Sequence, residues 1–180
     1  MSKNLCVFCA SSAHIADKYK KAAYELGRLC AKHGWILVNG AGFEGLMGAT
    51  SDGCQAAGGR VVGIIPRFMV DNGWMRQGLD EEVIAKDMAE RKQLLRDRAD
   101  AVLVLPGGLG TMEEMFETIT QKQLGIFRKP IFIFNQDGYY NRLVAWLDHC
   151  AEEHFLRYEG DDALWTVVSS VEEVFEKLGV

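Results

Sequence analysis

The chain has 180 residues, of which 48% are hydrophobic and 25% charged, and its formal net charge is -5. That length suffices for one α/β domain burying roughly 70% of its unfolded surface, and the composition excludes disordered and fibrous classes. The acidic balance opposes non-specific attraction to nucleic-acid backbones, and no run approaches the ~18 apolar residues of a membrane span.

Met1–Leu5 runs straight into a strand-like stretch and lacks the charged head, long apolar run and cleavage site of a signal peptide. Five cysteines, Cys6, Cys9, Cys30, Cys54 and Cys150, are an odd number without the density of a small secreted scaffold. Both features predict reduced thiols in a cytoplasmic protein. From there short Val-, Ile- and Phe-rich runs alternate with longer amphipathic stretches, the signature of a parallel sheet covered on both faces. Strands are predicted at 5–10, 35–39, 60–65, 101–105, 130–135 and 164–168. Helices are predicted at 15–33, 45–57, 88–98, 111–124, 139–155 and 170–178. The expected fold is a Rossmann-like, doubly wound parallel α/β sheet of five or six strands, with residues 1–180 forming a single nucleotide-binding domain.

In the first strand, Cys6 and Cys9 are three residues apart and so point to opposite faces, unlike a redox pair at a helix start. The second strand ends at Gly40-Ala41-Gly42-Phe43-Glu44-Gly45, which formally matches the dinucleotide fingerprint. It follows the wrong strand for that role, and Ile65-Pro66-Arg67 occupies the place of the ribose-binding acid. Arg67 facing a 2′-phosphate keeps an NADP-dependent oxidoreductase as a competing reading. Segment 66–82 has neither helical nor strand period and exceeds the usual βα connection, which predicts a lid or interface loop.

The helix from Met88 carries Arg91-Lys92, where a planar guanidinium can meet phosphate or a purine edge, although such a pair also suits a solvated face. Next, Ala101–Leu105 feeds Pro106-Gly107-Gly108-Leu109-Gly110-Thr111 and a helix. Strand, glycine turn and helix N-terminus in that order supply a preformed anion site, with Thr111 as N-cap or phosphate ligand. The same residues can also simply turn the chain and cap the helix. Glu114, three residues after Thr111, falls near the same face. A carboxylate beside a phosphate costs Coulomb energy that folding does not require, so Glu114 points to function.

Elsewhere, His149 and His154 are off the i,i+4 spacing of metal ligands, and His14 and His33 lack a partner at zinc spacing. No metal and no cofactor are expected. Trp146, Leu147 and Phe155 read as core or dimer-interface residues, and no stretch reads as a basic-aromatic nucleic-acid surface.

Pro106-Gly107-Gly108-Leu109-Gly110-Thr111-Met112-Glu113-Glu114 resembles the PGGxGTxxE signature of the Lonely Guy family of nucleoside-monophosphate phosphoribohydrolases. Met88-Ala89-Glu90-Arg91-Lys92 resembles its arginine-lysine motif, and Gly45-Leu46-Met47-Gly48 its first nucleotide loop. Cys6–Ser12, Gly63–Pro66, Gln123–Gly125 and Asp137–Tyr140 extend the likeness along almost the whole chain. The resemblance implies a homodimeric enzyme that hydrolyses the N-glycosidic bond of adenine-type or cytokinin nucleoside 5′-monophosphates, releasing free base and ribose 5-phosphate. It assigns catalysis to Arg91 and Glu114. It assigns substrate binding to Lys92, Thr120 and the loop Gly107, Gly108, Leu109, Gly110 and Thr111, together with Gly42, Gly45 and Met88. The chain departs from the family pattern at Asn39–Phe43, where Tyr-Gly-Gly-Gly and a small polar residue are usual, at Gln121, and in 66–82. A non-catalytic nucleotide or molybdenum-cofactor carrier of the same fold is the alternative.

Overall fold

The computed structural model describes residues 2–156 and 163–180. Its strands are β1 (Asn4–Phe8), β2 (Ile36–Asn39), β3 (Val61–Pro66), β4 (Glu81–Ala85), β5 (Ala101–Val104), β6 (Ile131–Phe134) and β7 (Thr166–Val168). They form one parallel sheet in the order β4-β3-β2-β1-β5-β6-β7. The helices are α1 (Asp17–Lys32), α2 (Gly45–Ala56), α3 (Arg67–Asp71), α4 (Met88–Arg98), α5 (Leu109–Gln123), α6 (Asn141–Glu152) and α7 (Val171–Leu178). The chain winds outward from β1 to β4 and then returns to place β5 on the other side of β1. The crevice outside the carboxyl ends of β1 and β5 is therefore the topological switch point, where open α/β sheets bind ligands.

The strand period of two divides the core into two layers. Leu5 and Val7 of β1 pack with Leu26 and Cys30 of α1, Leu46 and Cys54 of α2, and Phe175 of α7. Cys6 and Phe8 face the opposite way, toward Leu95 of α4, Met115 and Ile119 of α5, and Leu147 of α6. Cys9, just past the strand, joins the first layer, so Cys6 and Cys9 lie on opposite faces. Burial raises both thiols well above their ordinary range, the fate of inert core cysteines rather than a redox pair.

Pattern reading finds at most six strands, and the described residues form seven. The additional one, β4, lies at the sheet edge, so its Glu81, Glu82 and Ile84 retain solvent access and the buried-strand signature is lost. Segment 66–82 accordingly contains the short helix α3, a turn through Gly73 and Gly78, and the start of β4. A second difference concerns α5, which begins at Leu109 with Gly108 as N-cap, not at Thr111. Thr111 is therefore a first-turn residue and not the cap, and Glu114 lies beyond the first turn. Phe155 is 78% exposed and Trp146 53% exposed, while Leu147 alone of that group belongs to the core.

Candidate active site

Loops after β1, β2 and β5, with the starts of α4 and α5, enclose one cleft with two halves. The half at the α5 N-terminus, about 320 Å³, is lined by Ser11, Met88, Arg91, Gly108, Thr111 and Glu114 among others. The other half, about 360 Å³, is lined by Gly42, Phe43, Glu44 and Trp74. Ser11, Met47, Met69 and Arg91 line both, so Arg91 stands at the join.

Arg91 reaches this point because Asp87 caps α4. The Asp87 carboxylate accepts from the Glu90 amide at 2.8 Å, while Glu90 accepts from the Lys86 amide at 2.6 Å. The Arg91 Nε donates to the Ile64 carbonyl at 3.1 Å and Nη1 to Glu114 Oε1 at 2.5 Å. Only 5% of Arg91 and 7% of Glu114 is exposed, making this a desolvated charge pair at a cavity wall. Burial raises the Glu114 carboxyl above its ordinary value, and Arg91 offsets that only in part. Glu114 Oε2 has no protein partner among the described residues. Gly40 is required for this placement, since a Cβ there would lie 1.9 Å from Arg91 Nη2.

The two glycine loops end differently. At α5 the amides of Leu109, Gly110 and Thr111 have no intrahelical acceptor and meet none elsewhere among the described residues, leaving a helix N-terminus free for an anion. Tyr139 and Tyr140 brace the loop by donating their hydroxyls to the carbonyls of Gly107 at 2.9 Å and Leu105 at 2.7 Å. A Cβ at Gly107 would meet Thr111 Oγ1 at 2.1 Å, so glycine lets the loop lie on the buried Thr111 side chain. At α2, by contrast, the Leu46 and Met47 amides donate to the Ala10 carbonyl at 2.9 and 3.3 Å. Two of the first three α2 amides are thus committed to protein, and Arg67 is exposed outside the cleft lining, which argues against a dinucleotide site at the fingerprint-like Gly40–Gly45.

Of the residues singled out from sequence, the cleft gathers Arg91, Glu114, Met88, Gly108, Gly110, Thr111 and Gly42. Gly107 lines a neighbouring hollow with Tyr19 and Tyr139, Gly45 packs on the backbone of Ser11, and Leu109 points outward at 91% exposure. Lys92 does not line the cleft. It donates to Glu113 at 2.7 Å and pairs with Glu117 at 3.0 Å, holding α4 against α5. Thr120 is on the exposed side of α5, the side of Phe116 and Leu124 rather than that of Glu114. Met69 and Trp74 were missed, and their signal was the excess length of 66–82 after a central strand. Ala41 takes a left-handed φ of 59° where the family pattern has glycine. Asn39 Oδ1 accepts from its amide at 2.9 Å and the Arg76 amide donates to its carbonyl at 2.7 Å, bonds that hold the strained backbone.

Comparison with known proteins bears directly on this motif. A family model described as a possible lysine decarboxylase matches residues 47–178, although no lysine lines either half of the cleft. The cytokinin riboside 5′-monophosphate phosphoribohydrolase LOG7 of Arabidopsis thaliana is 40% identical over 154 residues, 86% of this chain and 71% of its own. The probable cytokinin riboside 5′-monophosphate phosphoribohydrolase LOGL2 of Oryza sativa subsp. japonica is 37% identical over 176 residues, 98% and 72% of the two chains. Among solved structures, the molybdenum cofactor binding protein of Rippkaea orientalis superposes with a TM-score of 0.75 at 21% identity, covering 99% of this chain and 96% of that one, a likeness of fold alone. With about two-fifths identity across most of both chains, and with the PGGxGTxxE segment forming one wall of the cleft, the chain is an enzyme of the Lonely Guy family of phosphoribohydrolases.

Proposed function

We propose that the chain hydrolyses the N-glycosidic bond of adenine-type nucleoside 5′-monophosphates, AMP and cytokinin riboside monophosphates, releasing base and ribose 5-phosphate. The buried Arg91–Glu114 pair carries this reading, because it stands between a free helix N-terminus and a mostly apolar hollow. The 5′-phosphate binds the amides of Leu109–Thr111. Glu114 orients the attacking water, takes up its proton and stabilises the oxocarbenium-like transition state. One water is consumed: its hydroxyl ends on C1′, and the proton taken up by Glu114 passes to the departing base nitrogen, which restores the carboxylate. Arg91 acts as a fixed electrostatic clamp on the ribose-phosphate and not as a proton donor.

The working unit in this reading is a homodimer. Trp146, Leu124 and Ile126 are 53%, 63% and 69% exposed around α5 and α6, and Phe116 meets Trp146 edge-on at 6.0 Å. Thr120 lies on this side, so a contribution from it to a nucleotide site comes through a second copy. Glu114→Gln tests the chemistry: chromatography of incubations with AMP and N6-isopentenyladenosine 5′-monophosphate should show base release by the wild type and a loss of at least about 100-fold in the variant. Unchanged release by Glu114→Gln would remove Glu114 from the mechanism. Absence of released base from every monophosphate would favour a carrier.

A further inference from the structure

We propose that Phe43 and Trp74 form an aromatic subsite for the base, and for an apolar substituent on its exocyclic amine, in the half of the cleft remote from the α5 N-terminus. This rests on the hydrolytic reading for the identity of the ligand. Phe43 is 49% exposed and Trp74 52% exposed, yet both line one concavity of about 360 Å³ together with the thioethers of Met47 and Met69. Large apolar side chains left open inside a concavity are a recognition surface.

The same half is poorly suited to the phosphate. The Leu46 and Met47 amides of α2 are committed to Ala10, and Glu44 adds a carboxylate at its wall. Arg91, at the join, is its one lining cation among the described residues. With phosphate at the α5 end and the glycosidic carbon beside Arg91 and Glu114, the base extends toward Phe43 and Trp74. There the Glu44 carboxylate is an acceptor for an exocyclic N–H.

Trp74 is held in place. An isolated antiparallel bridge pairs Met75 with Gly42, and the Arg76 amide donates to Ala41 at 2.7 Å. The Arg76 guanidinium pairs with Asp52 at 2.7 Å and donates to Gln55 at 2.9 Å, while Gln55 donates to the Gly78 carbonyl at 2.6 Å. These bonds strap the loop after α3 onto α2 and the first glycine loop, so a ring over the base needs little ordering on binding.

Two measurements test the subsite. In the Glu114→Gln protein, titration with N6-isopentenyladenosine 5′-monophosphate should quench tryptophan fluorescence where ribose 5-phosphate does not, and Trp74→Phe in that background should abolish the quench. In the active enzyme, Trp74→Ala and Phe43→Ser should each lower kcat/KM for the isopentenyl nucleotide by roughly tenfold, mainly through KM, the order of one base–aromatic stack. Trp74→Phe should retain most of the activity. Equal quenching by ribose 5-phosphate, or kinetics indifferent to both truncations, would overturn the subsite while leaving hydrolysis standing. A nucleotide-specific quench through Trp74 in a protein that releases no base would support the subsite and overturn the hydrolytic reading.

Discussion

Arg91 and Glu114 are 23 residues apart in sequence, and taking both out of water costs more than an exposed pair would. Removing one partner strands the other, so Arg91→Met is expected to lower unfolding free energy by about 3–5 kcal/mol. The double variant Arg91→Met/Glu114→Leu should recover most of that in denaturant unfolding while remaining inactive. A double variant no more stable than the single one would mean that the pair serves the fold. Burial sets the pH response as well. In the proposed mechanism Glu114 must be ionised to act on water, and its carboxyl is raised, so the acid limb of kcat/KM should lie above the ordinary glutamate value of about 4.3. By linkage this group's contribution to stability is present below its unfolded value and lost as pH rises through the folded one. An acid limb at or below the ordinary value would place the titrating group elsewhere. Arg91 and Glu114 were legible from their motif, whereas the removal of Lys92 from the cleft was not. Lys92 occupies the next position on α4, and only the approach of Glu113 and Glu117 decides where its ammonium goes.

Elements with a strong period were readable nearly to the residue: α4 spans Met88–Arg98 as expected, and the central strands shift by only one or two residues at each end. The misses share one cause, tertiary context overriding local pattern. The edge position of β4 lets charges into a strand, and α5 starts at Leu109, two residues ahead of Thr111, where Gly108 caps a loop braced by Tyr139 and Tyr140. Between elements, α1 and α2 cross so closely that a Cβ on Gly53 would lie 1.9 Å from the Tyr24 carbonyl oxygen, and one on Gly27 2.0 Å from that of Thr50. Both contacts are with backbone, which cannot rotate away. Gly53→Ala is therefore expected to destabilise by at least about 1–3 kcal/mol despite its better helix propensity, measured as a lowered denaturation midpoint. A stabilising result would mean that the crossing relaxes freely. Because α2 also carries Met47 and seats the first glycine loop, the same change should raise KM.

For the whole molecule, the exposed apolar surface around Trp146 and Ile126 makes a claim about assembly. Ile126→Glu with Trp146→Glu should convert a dimer to a monomer in light scattering, and, with Thr120 on that side, lower kcat/KM more than it lowers stability. A wild type that scatters as a monomer would refute the homodimer. What the sequence by itself determined is the doubly wound parallel class, the glycine loop after the central strand and the Arg91 and Glu114 motifs, because these depend on period, local turn chemistry and short spacing. Only the tertiary structure decided which glycine loop keeps free amides, that Lys92 and Thr120 lie off the cleft, and that Trp74 lies on it. Each of those depends on what a distant segment donates or accepts: the Ala10 carbonyl at α2, Glu113 and Glu117 at Lys92, and Ala41, Asp52 and Gln55 at the strap beside Trp74.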